Sequence, residues 1–357
     1  MTQPRLAIVL SGFPRRSETF ALGEVSALEQ RGLVAALFST KPGEDGPSQP
    51  GADRLLARMH MLSGDADSQA DEAARHLEGI DVAGVHAYFA HAPSTIGQAL
   101  ACRLGVPFGF SVHARDARKI SRAQLHQRAR QAACVVACNE DVAREFDGSG
   151  ARVQVVPHGV DLGRFIPAQR ASRPVFQMLA VGRLVEKKGF DVLLDALSLM
   201  TIPWTLRVVG DGPLREALSA QAVALAIAGR VSFCGSMTHE ALPAEYAGAD
   251  AVVVPSLVDR SGDRDGLPNV VLEAMACGVP VVAADVGAIT TAIRPGENGL
   301  IVAAGDRAAL AAALTALAHD AGLRASLGAA ARAIVERDYD VSACTDRLAA
   351  VLREAYA

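Results

Sequence analysis

Short runs of branched apolar residues, each ended by glycine, proline or a small polar residue, alternate with segments whose apolar positions recur every three or four residues. RLAIVLSGFP (5–14) predicts a first strand. SETFALGEVSALEQRG, apolar at 20, 22, 25 and 28, predicts a helix closed at Gly32. LVAALFST is a second strand, residues 41–53 are a Pro/Gly-rich loop, and helix-compatible sequence fills 54–80. Then come GVHAYFA as strand, HAPSTIGQALACRLG as helix closed by Gly105, VPFGFSVHA as strand, AQLHQRARQAA as helix and ACVVACN as strand. Glu140 opens another short helix, and RVQVVPHGVD ends this half with a strand and a tight turn. Strand alternating with helix in this way predicts a parallel α/β sheet.

Residues 166–174 (IPAQRASRP) carry no period and two prolines, and they read as a linker. The pattern then restarts with strands in FQMLAVGRL, TLRVVGDG, RVSFCG, DAVVVPS, PVVAAD and NGLIVAAGD, separated by helical segments, with two further helices over 307–335. The expected organisation is an N-terminal domain over 1–168 and a C-terminal domain over 175–336. A last helix over 337–357 either completes the second domain or crosses back to the first.

At 357 residues the chain is long enough for two cores, and with half its residues apolar it is not a disordered polymer. Aromatics make up 4%, which argues against stacked carbohydrate platforms and RNA-stacking surfaces. A net charge of -4 gives no general attraction for nucleic acid. Of the six cysteines, Cys134 and Cys138 lack a second pair at metal-ligand spacing and read as buried thiols. MTQPRLAIVLSG does not resemble a signal peptide and no segment has 18 consecutive apolar residues, so a cytoplasmic location is expected.

Candidate chemistry concentrates in the second half. AVGRLVEKKG puts Arg183 just beyond a strand and Lys188 five residues on, a guanidinium and an ammonium that could clamp a diphosphate; a solvated basic turn is the alternative. In VVGDGP, Gly210 and Gly212 allow close approach, and Pro213 can start a helix whose free N–H groups favour negative charge. The third glycine of a dinucleotide fingerprint is absent, so a nucleoside diphosphate fits better than a dinucleotide. In DGLPNVVLEAMACG, Asp265 precedes a helix beginning at Pro268 and Asn269, and Glu273 lies one turn inside it. Such carboxylates can accept from vicinal sugar hydroxyls, or can be a cap and an ordinary helical glutamate. A glycosidase pair is a weaker reading, since hydrolysis needs no cationic clamp. DRSGDRD (259–265) is acidic but broken by arginines, more a mobile loop than an oxygen cage for a metal.

Taken together, VPHGVDLGRF (156–165), AVGRLVEKKG (180–189), VVGDGP (208–213), ADAVVVPS (249–256), DGLPNVVLEAMACGVPVVAADVGAI (265–289) and GENGL (296–300) resemble the retaining glycosyltransferases of family 4, group 1. The resemblance covers nearly the whole chain. HAYFAHAPS, GFSVHARDARK and FPRRSETFALGEV resemble the branch that builds exopolysaccharide and lipopolysaccharide. It implies the α/β GT-B fold, two Rossmann-like doubly wound domains facing across a cleft.

The same resemblance implies that a hexosyl group moves from a nucleoside diphosphate sugar to a hydroxyl with retention, the departing phosphate oxygen taking the acceptor's proton. Arg183 and Lys188 match the family's diphosphate clamp. Glu273 matches the glutamate on the ribose hydroxyls, and Asp265 stands where the family has a second glutamate, one methylene longer, on the donor sugar. Gly266, Leu267, Pro268 and Asn269 match the loop around that sugar, and His113 the histidine near its hydroxyls. Phe233 and the 210–213 turn are expected beside the base. Ser17, Glu18, Thr19, His86 and Asp116 have weaker claims to the acceptor side, as does His91.

No cofactor beyond the donor and no essential divalent metal is implied. The basic run of Arg115, Arg118, Lys119, Arg122, Arg128 and Arg130 would suit anionic lipid head groups at the inner membrane face, or is an ordinary solvated helix. A nucleotide-sugar epimerase of the same architecture and a non-catalytic sugar-binding protein are the competing readings.

Overall fold

The computed structural model describes residues 4–13, 19–44, 52–168 and 173–357, the side chains of 19, 114 and 115 excepted. It divides into two units, one of residues up to Gly159 with Ser342–Ala357, the other Val160–Val341.

In the first unit the elements run β1 (Leu6–Leu10), α1 (Thr19–Gln30), β2 (Val34–Ser39), α2 (Ala52–Leu56), β3 (Met59–Met61), α3 (Ala66–His76), β4 (Gly84–Tyr88) and α4 (Ala92–Leu104). They continue with β5 (Phe108–Val112), α5 (Ala114–Ala117), α6 (Arg122–Gln131), β6 (Cys134–Ala137), α7 (Glu140–Ala143) and β7 (Val153–Val155). The strands form one sheet of order β3-β2-β1-β4-β5-β6-β7, every pairing parallel. Strands β1, β2, β4, β5 and β6 are buried along their whole length, which is why they read as continuous apolar runs. The sequence showed only helix over 54–80, yet β3 lies there, because three half-exposed residues at a sheet edge are too few to display a period.

The second unit contains β8 (Phe176–Val181), α8 (Phe190–Ser198), β9 (Trp204–Val209), α9 (Arg215–Ala224), β10 (Val231–Gly235), α10 (Leu242–Gly248), β11 (Ala251–Val254) and α11 (Asn269–Ala276). It ends with β12 (Val281–Ala284), α12 (Ile289–Ala292), β13 (Leu300–Val302), α13 (Arg307–His319) and α14 (Ala321–Asp338). Its sheet is also parallel, in the order β10-β9-β8-β11-β12-β13. Residues 160–168 pack with this unit. Val160 N–H donates to Tyr339 O at 2.8 Å, and Phe165, 1% exposed, meets Tyr246 edge-on at 5.8 Å.

The final helix, α15 (Val341–Ala355), packs Leu348, Ala349 and Leu352 into the first unit's core. Tyr356, just beyond it, donates to Val85 O at 3.1 Å and shares a 3.0 Å hydrogen bond with His86 Nδ1. Its ring lies where a Cβ at Gly84 would be, and its hydroxyl where a Cβ at Gly109 would be. Both strand glycines are therefore explained by close approach of one aromatic ring. Gly84→Ala should destabilise the protein by about 2 kcal/mol or more in urea melts, as overpacking does. Truncating Tyr356 to Ala should shrink that added cost; full additivity of the two changes would show that the ring is not what Gly84 accommodates.

Candidate functional site

The second unit places its charged groups beyond the carboxyl ends of β8 and β11. After β8 the chain passes Arg183, which is exposed and whose side chain has no hydrogen bond or ion pair among the described residues, then a single 3-10 turn over Glu186–Lys188. That turn directs two lysines at one carboxylate. Lys188 Nζ lies 2.6 Å from Asp265 Oδ2, and Lys187 Nζ 3.3 Å from Asp265 Oδ1. Lys187 also reaches Asp263 at 3.1 Å, and Ser256, just past β11, donates to Asp265 at 3.2 Å. The Asp265 side chain is 11% exposed. Burial alone would raise its pKa, but the charges of Lys188 and Lys187 and their hydrogen bonds outweigh it and hold the carboxyl below the usual aspartate range.

The two glycines of VVGDGP accommodate the chain's own backbone. A Cβ at Gly212 would stand 2.6 Å from Leu184 O, and one at Gly210 would overlap Gly182 O. Both have positive φ, 158° and 140°. What approaches closely is the backbone after β8, bonded through Gly182 N–H to Val209 O and Leu184 N–H to Asp211 O, each 2.9 Å. Pro213 sits in this turn and not in a helix, since α9 starts only at Arg215 with Leu214 as its cap residue. The glycines thus let the Arg183 and Lys188 turn pack against the carboxyl end of β9. Phe233 in β10 accepts from Arg215 through its carbonyl at 3.2 Å.

Gly266 and Pro268 are buried, Leu267 is partly buried, and Asn269 is the first residue of α11, whose start has no side-chain cap. Glu273 is only 5% exposed. Tyr246 OH donates to its Oε2 at 2.6 Å, and His239 Nε2 lies 3.3 Å from its Oε1. Arg164 reaches His239 Nδ1 at 2.6 Å. A guanidinium can only donate, so Nδ1 accepts and the ring proton on Nε2 is aimed at Glu273. Burial, then the adjacent Glu273 charge, keeps the Tyr246 hydroxyl well above its ordinary pKa, so it stays a donor. Two partners leave further lone pairs on the carboxylate. Tyr246, His239 and Arg164 were not among the residues the sequence suggested.

In the first unit His113 follows β5. It is 8% exposed, and its backbone N–H is held by Asp116 Oδ1. Asp116 also accepts from Ala90 N–H, so it fixes loops and does not line a free surface. His86 is fully buried in β4 with Nδ1 on Tyr356 and Nε2 on Ser111 Oγ at 2.9 Å, so both ring nitrogens serve the core and not an acceptor. His91 stands before α4, 3.3 Å from Lys119 Nζ. Ser17 and Glu18 lie outside the described residues, and Thr19 opens α1 with its side chain undescribed.

The basic run does not form one open cationic face. Arg118 pairs with Asp141 at 2.8 Å and Glu145 at 3.1 Å, Arg128 caps the carbonyls of Ala90 and His91, and Arg122 donates to Asp147 O. Among the described residues no cluster of three His, Cys, Asp or Glu could hold a metal, and no helix is long and apolar enough to cross a membrane. Cys134 and Cys138 are buried free thiols, and Cys102 is an exposed one.

Two family models match, one described as Glycosyltransferase Family 4 over residues 17–164 and one as Glycosyl transferases group 1 over 176–320. The chain belongs to glycosyltransferase family 4, group 1. A GDP-mannose-dependent alpha-(1-6)-phosphatidylinositol monomannoside mannosyltransferase of Mycolicibacterium smegmatis is 36% identical over 200 residues, 52% of each chain. A D-inositol 3-phosphate glycosyltransferase of Salinispora tropica is 37% identical over 54% of this chain and 44% of its own. The match spans about half the length of these curated relatives. WcaL of Escherichia coli, named for colanic acid biosynthesis, aligns over 98% of this chain and 99% of its own at 23% identity.

Anabaena HepE in complex with UDP superposes with a TM-score of 0.83 at 20% identity, over 98% of this chain and all of that one. A sucrose-phosphate synthase of Thermosynechococcus elongatus gives 0.80 at 21%, over 99% of both chains. The fold of this family member is therefore GT-B, built of two Rossmann-like domains.

Asp265 yields a pH prediction. Its folded pKa is depressed, so its stabilising contribution is complete above the unfolded carboxyl pKa and disappears as pH falls through the folded one. Asp265→Asn should cost about 3 kcal/mol near neutrality in denaturant titrations, as loss of one partner of a buried pair does. The gap between variant and wild type should narrow below about pH 4. A gap independent of pH would mean that Asp265 is not ionised in the folded protein.

Proposed function

We propose that this family member is a hexosyltransferase that moves a sugar from a nucleoside diphosphate donor to a hydroxyl acceptor with retention of configuration. The observation that carries this is the pairing of Asp265 with two lysines, only one of which has to stay. When a diphosphate enters, Lys188 can leave Asp265 for a phosphate oxygen while Lys187 keeps the carboxylate paired. No buried charge is stranded, so the usual penalty for breaking such a pair is avoided. The freed Asp265 oxygen then faces the sugar hydroxyls.

Arg183, exposed and with no partner for its guanidinium among the described residues, supplies the second positive group. Together the two cations stabilise charge accumulating on the outer phosphate as the glycosidic bond breaks. Glu273, pre-oriented by Tyr246 and His239, accepts from the ribose hydroxyls, and the uncapped start of α11 adds backbone donors. The leaving phosphate oxygen takes the acceptor's proton, so no side-chain base is needed. His113 contributes a hydroxyl contact. The donor requires no divalent metal in this scheme, because Arg183 and Lys188 meet the diphosphate charge.

Relatives named as mannosyl- and inositol-phosphate glycosyltransferases and a neighbour solved with UDP support a nucleotide-sugar donor. The branch resemblance and the full-length match to WcaL support a role in polysaccharide or glycoconjugate synthesis.

Arg183→Ala and Lys188→Ala should each lower turnover by ~10²-fold or more with thermal melting little changed. Near-wild-type rates in both would remove the clamp. Across a melting panel of UDP, GDP, ADP and their sugars, one base should stabilise the wild type, and Glu273→Ala should abolish that shift. No shift with any nucleotide would contradict the proposal.

A further inference from the structure

Beside His113 lies an arrangement that the transferase scheme does not use. His158, just past β7, is held by Glu24 of α1, with Nδ1 2.6 Å from Glu24 Oε1. These side chains are 14% and 9% exposed. The His158 ring stacks on His113 with centroids 5.0 Å apart and planes 20° from parallel, and Phe20 lies against both rings, 4.1 Å from His158 and 4.6 Å from His113. Glu24, His158 and His113 line one small hollow with Ser111 and Cys138, walled by Leu348 of α15. His113 Nδ1 is buried there without a hydrogen-bond partner. Asp116, which completes the backbone half of a capping box, stands 4.0 Å from that nitrogen.

A buried carboxylate at hydrogen-bond distance from a buried imidazole makes the imidazole a cation. A second imidazole stacked on that cation resists protonation. We propose that Glu24 is a positioning residue: through its ion pair with His158 it fixes a cationic ring against His113, so that His113 offers a neutral imidazole, one nitrogen donating and one accepting, to a hydroxyl of the sugar substrate. The hydroxyl-binding half of this inference rests on the transferase reading; the ion-pair half does not.

The titration directions agree with the geometry. Burial works against protonation of His158, but the charge of Glu24 and hydrogen bonds to Glu24 and Cys138 outweigh it and raise the ring to about 10. Burial first, then the His158 charge, holds His113 well below the ordinary imidazole range. His86 in β4 and His91 before α4 add smaller repulsions. Asp116 pulls the opposite way at 4.0 Å, and Tyr88, whose ring lies 6.3 Å from His113, stays protonated because burial and Glu24 raise its hydroxyl. Two rings in contact with their proton affinities pushed apart divide the roles of cation and acceptor between them.

The test is a pH titration of the full chain carrying ¹³C,¹⁵N-histidine, read by NMR for wild type, Glu24→Gln and Glu24→Asp, together with the pH profile of kcat/KM. In the wild type His158 should stay protonated and His113 neutral from pH 5 to 9. In Glu24→Gln the His158 midpoint should fall into that window and the His113 midpoint should rise; Glu24→Asp should restore much of the wild-type pattern. The acid limb of kcat/KM should move to higher pH in Glu24→Gln, because His113 then takes a proton more readily. Unchanged histidine titrations in Glu24→Gln would overturn the coupling. Shifted titrations with an unmoved acid limb would overturn the hydroxyl role alone. Absence of nucleotide-sugar turnover in the wild type would remove the transferase reading and the hydroxyl role with it, while the titrations would still decide the ion pair.

Discussion

A carboxylate taken out of water must be answered by a partner, and the second domain is arranged around two that are. Asp265 is answered by Lys188 and Lys187, Glu273 by Tyr246 and His239. In each case there are more partners than a bare pair requires, Ser256 adding a third at Asp265. In the proposed scheme that surplus lets the site open to a ligand without leaving a charge uncompensated. Lys187 is buried and tied to Asp263 as well, so the proposed scheme makes it the fixed member and Lys188 the one that changes partners.

The sheet order explains why these groups meet. The order β10-β9-β8-β11-β12-β13 reverses between β8 and β11, so the segments leaving those two adjacent strands lie side by side at their carboxyl ends, where Leu257 N–H donates to Lys187 O at 2.8 Å. Lys187 and Lys188 leave from β8, and Ser256 and Asp265 from β11. Gly210 and Gly212, leaving from β9, brace the β8 turn from the other side through direct backbone contact. The first sheet has its own reversal at β1 and β4, and its polar cluster gathers after β5, β6 and β7, where Phe20 and Glu24 of α1 reach it.

Most of this fold is legible in the sequence because a parallel sheet covered on both faces needs long apolar strands, and helices must alternate with them. The edge strand β3 escapes because half-exposed residues carry no such demand. The places of Arg183, Lys188, Asp265 and Glu273 at element ends are legible because each sits at a fixed offset from a strand or a helix start. The groups that hold them are not. Tyr246 precedes Glu273 by 27 residues, and Glu24 precedes His158 by 134, so spacing gives no signal of either contact. VVGDGP does not by itself say what comes near: glycine allows close approach by anything, and here the chain's own backbone is one such neighbour. His86 and Asp116 are likewise polar residues whose partners are all internal.

The most direct measurement compares the equilibrium affinity of the nucleoside diphosphate that stabilises this protein with that of its parent nucleoside, by calorimetry, in wild type and in Lys188→Ala. The account predicts that the wild type favours the diphosphate by ~10²-fold or more and that the preference largely collapses in the variant, with nucleoside affinity little altered. Equal affinity for nucleoside and diphosphate in the wild type, or a preference untouched by loss of Lys188, would contradict it.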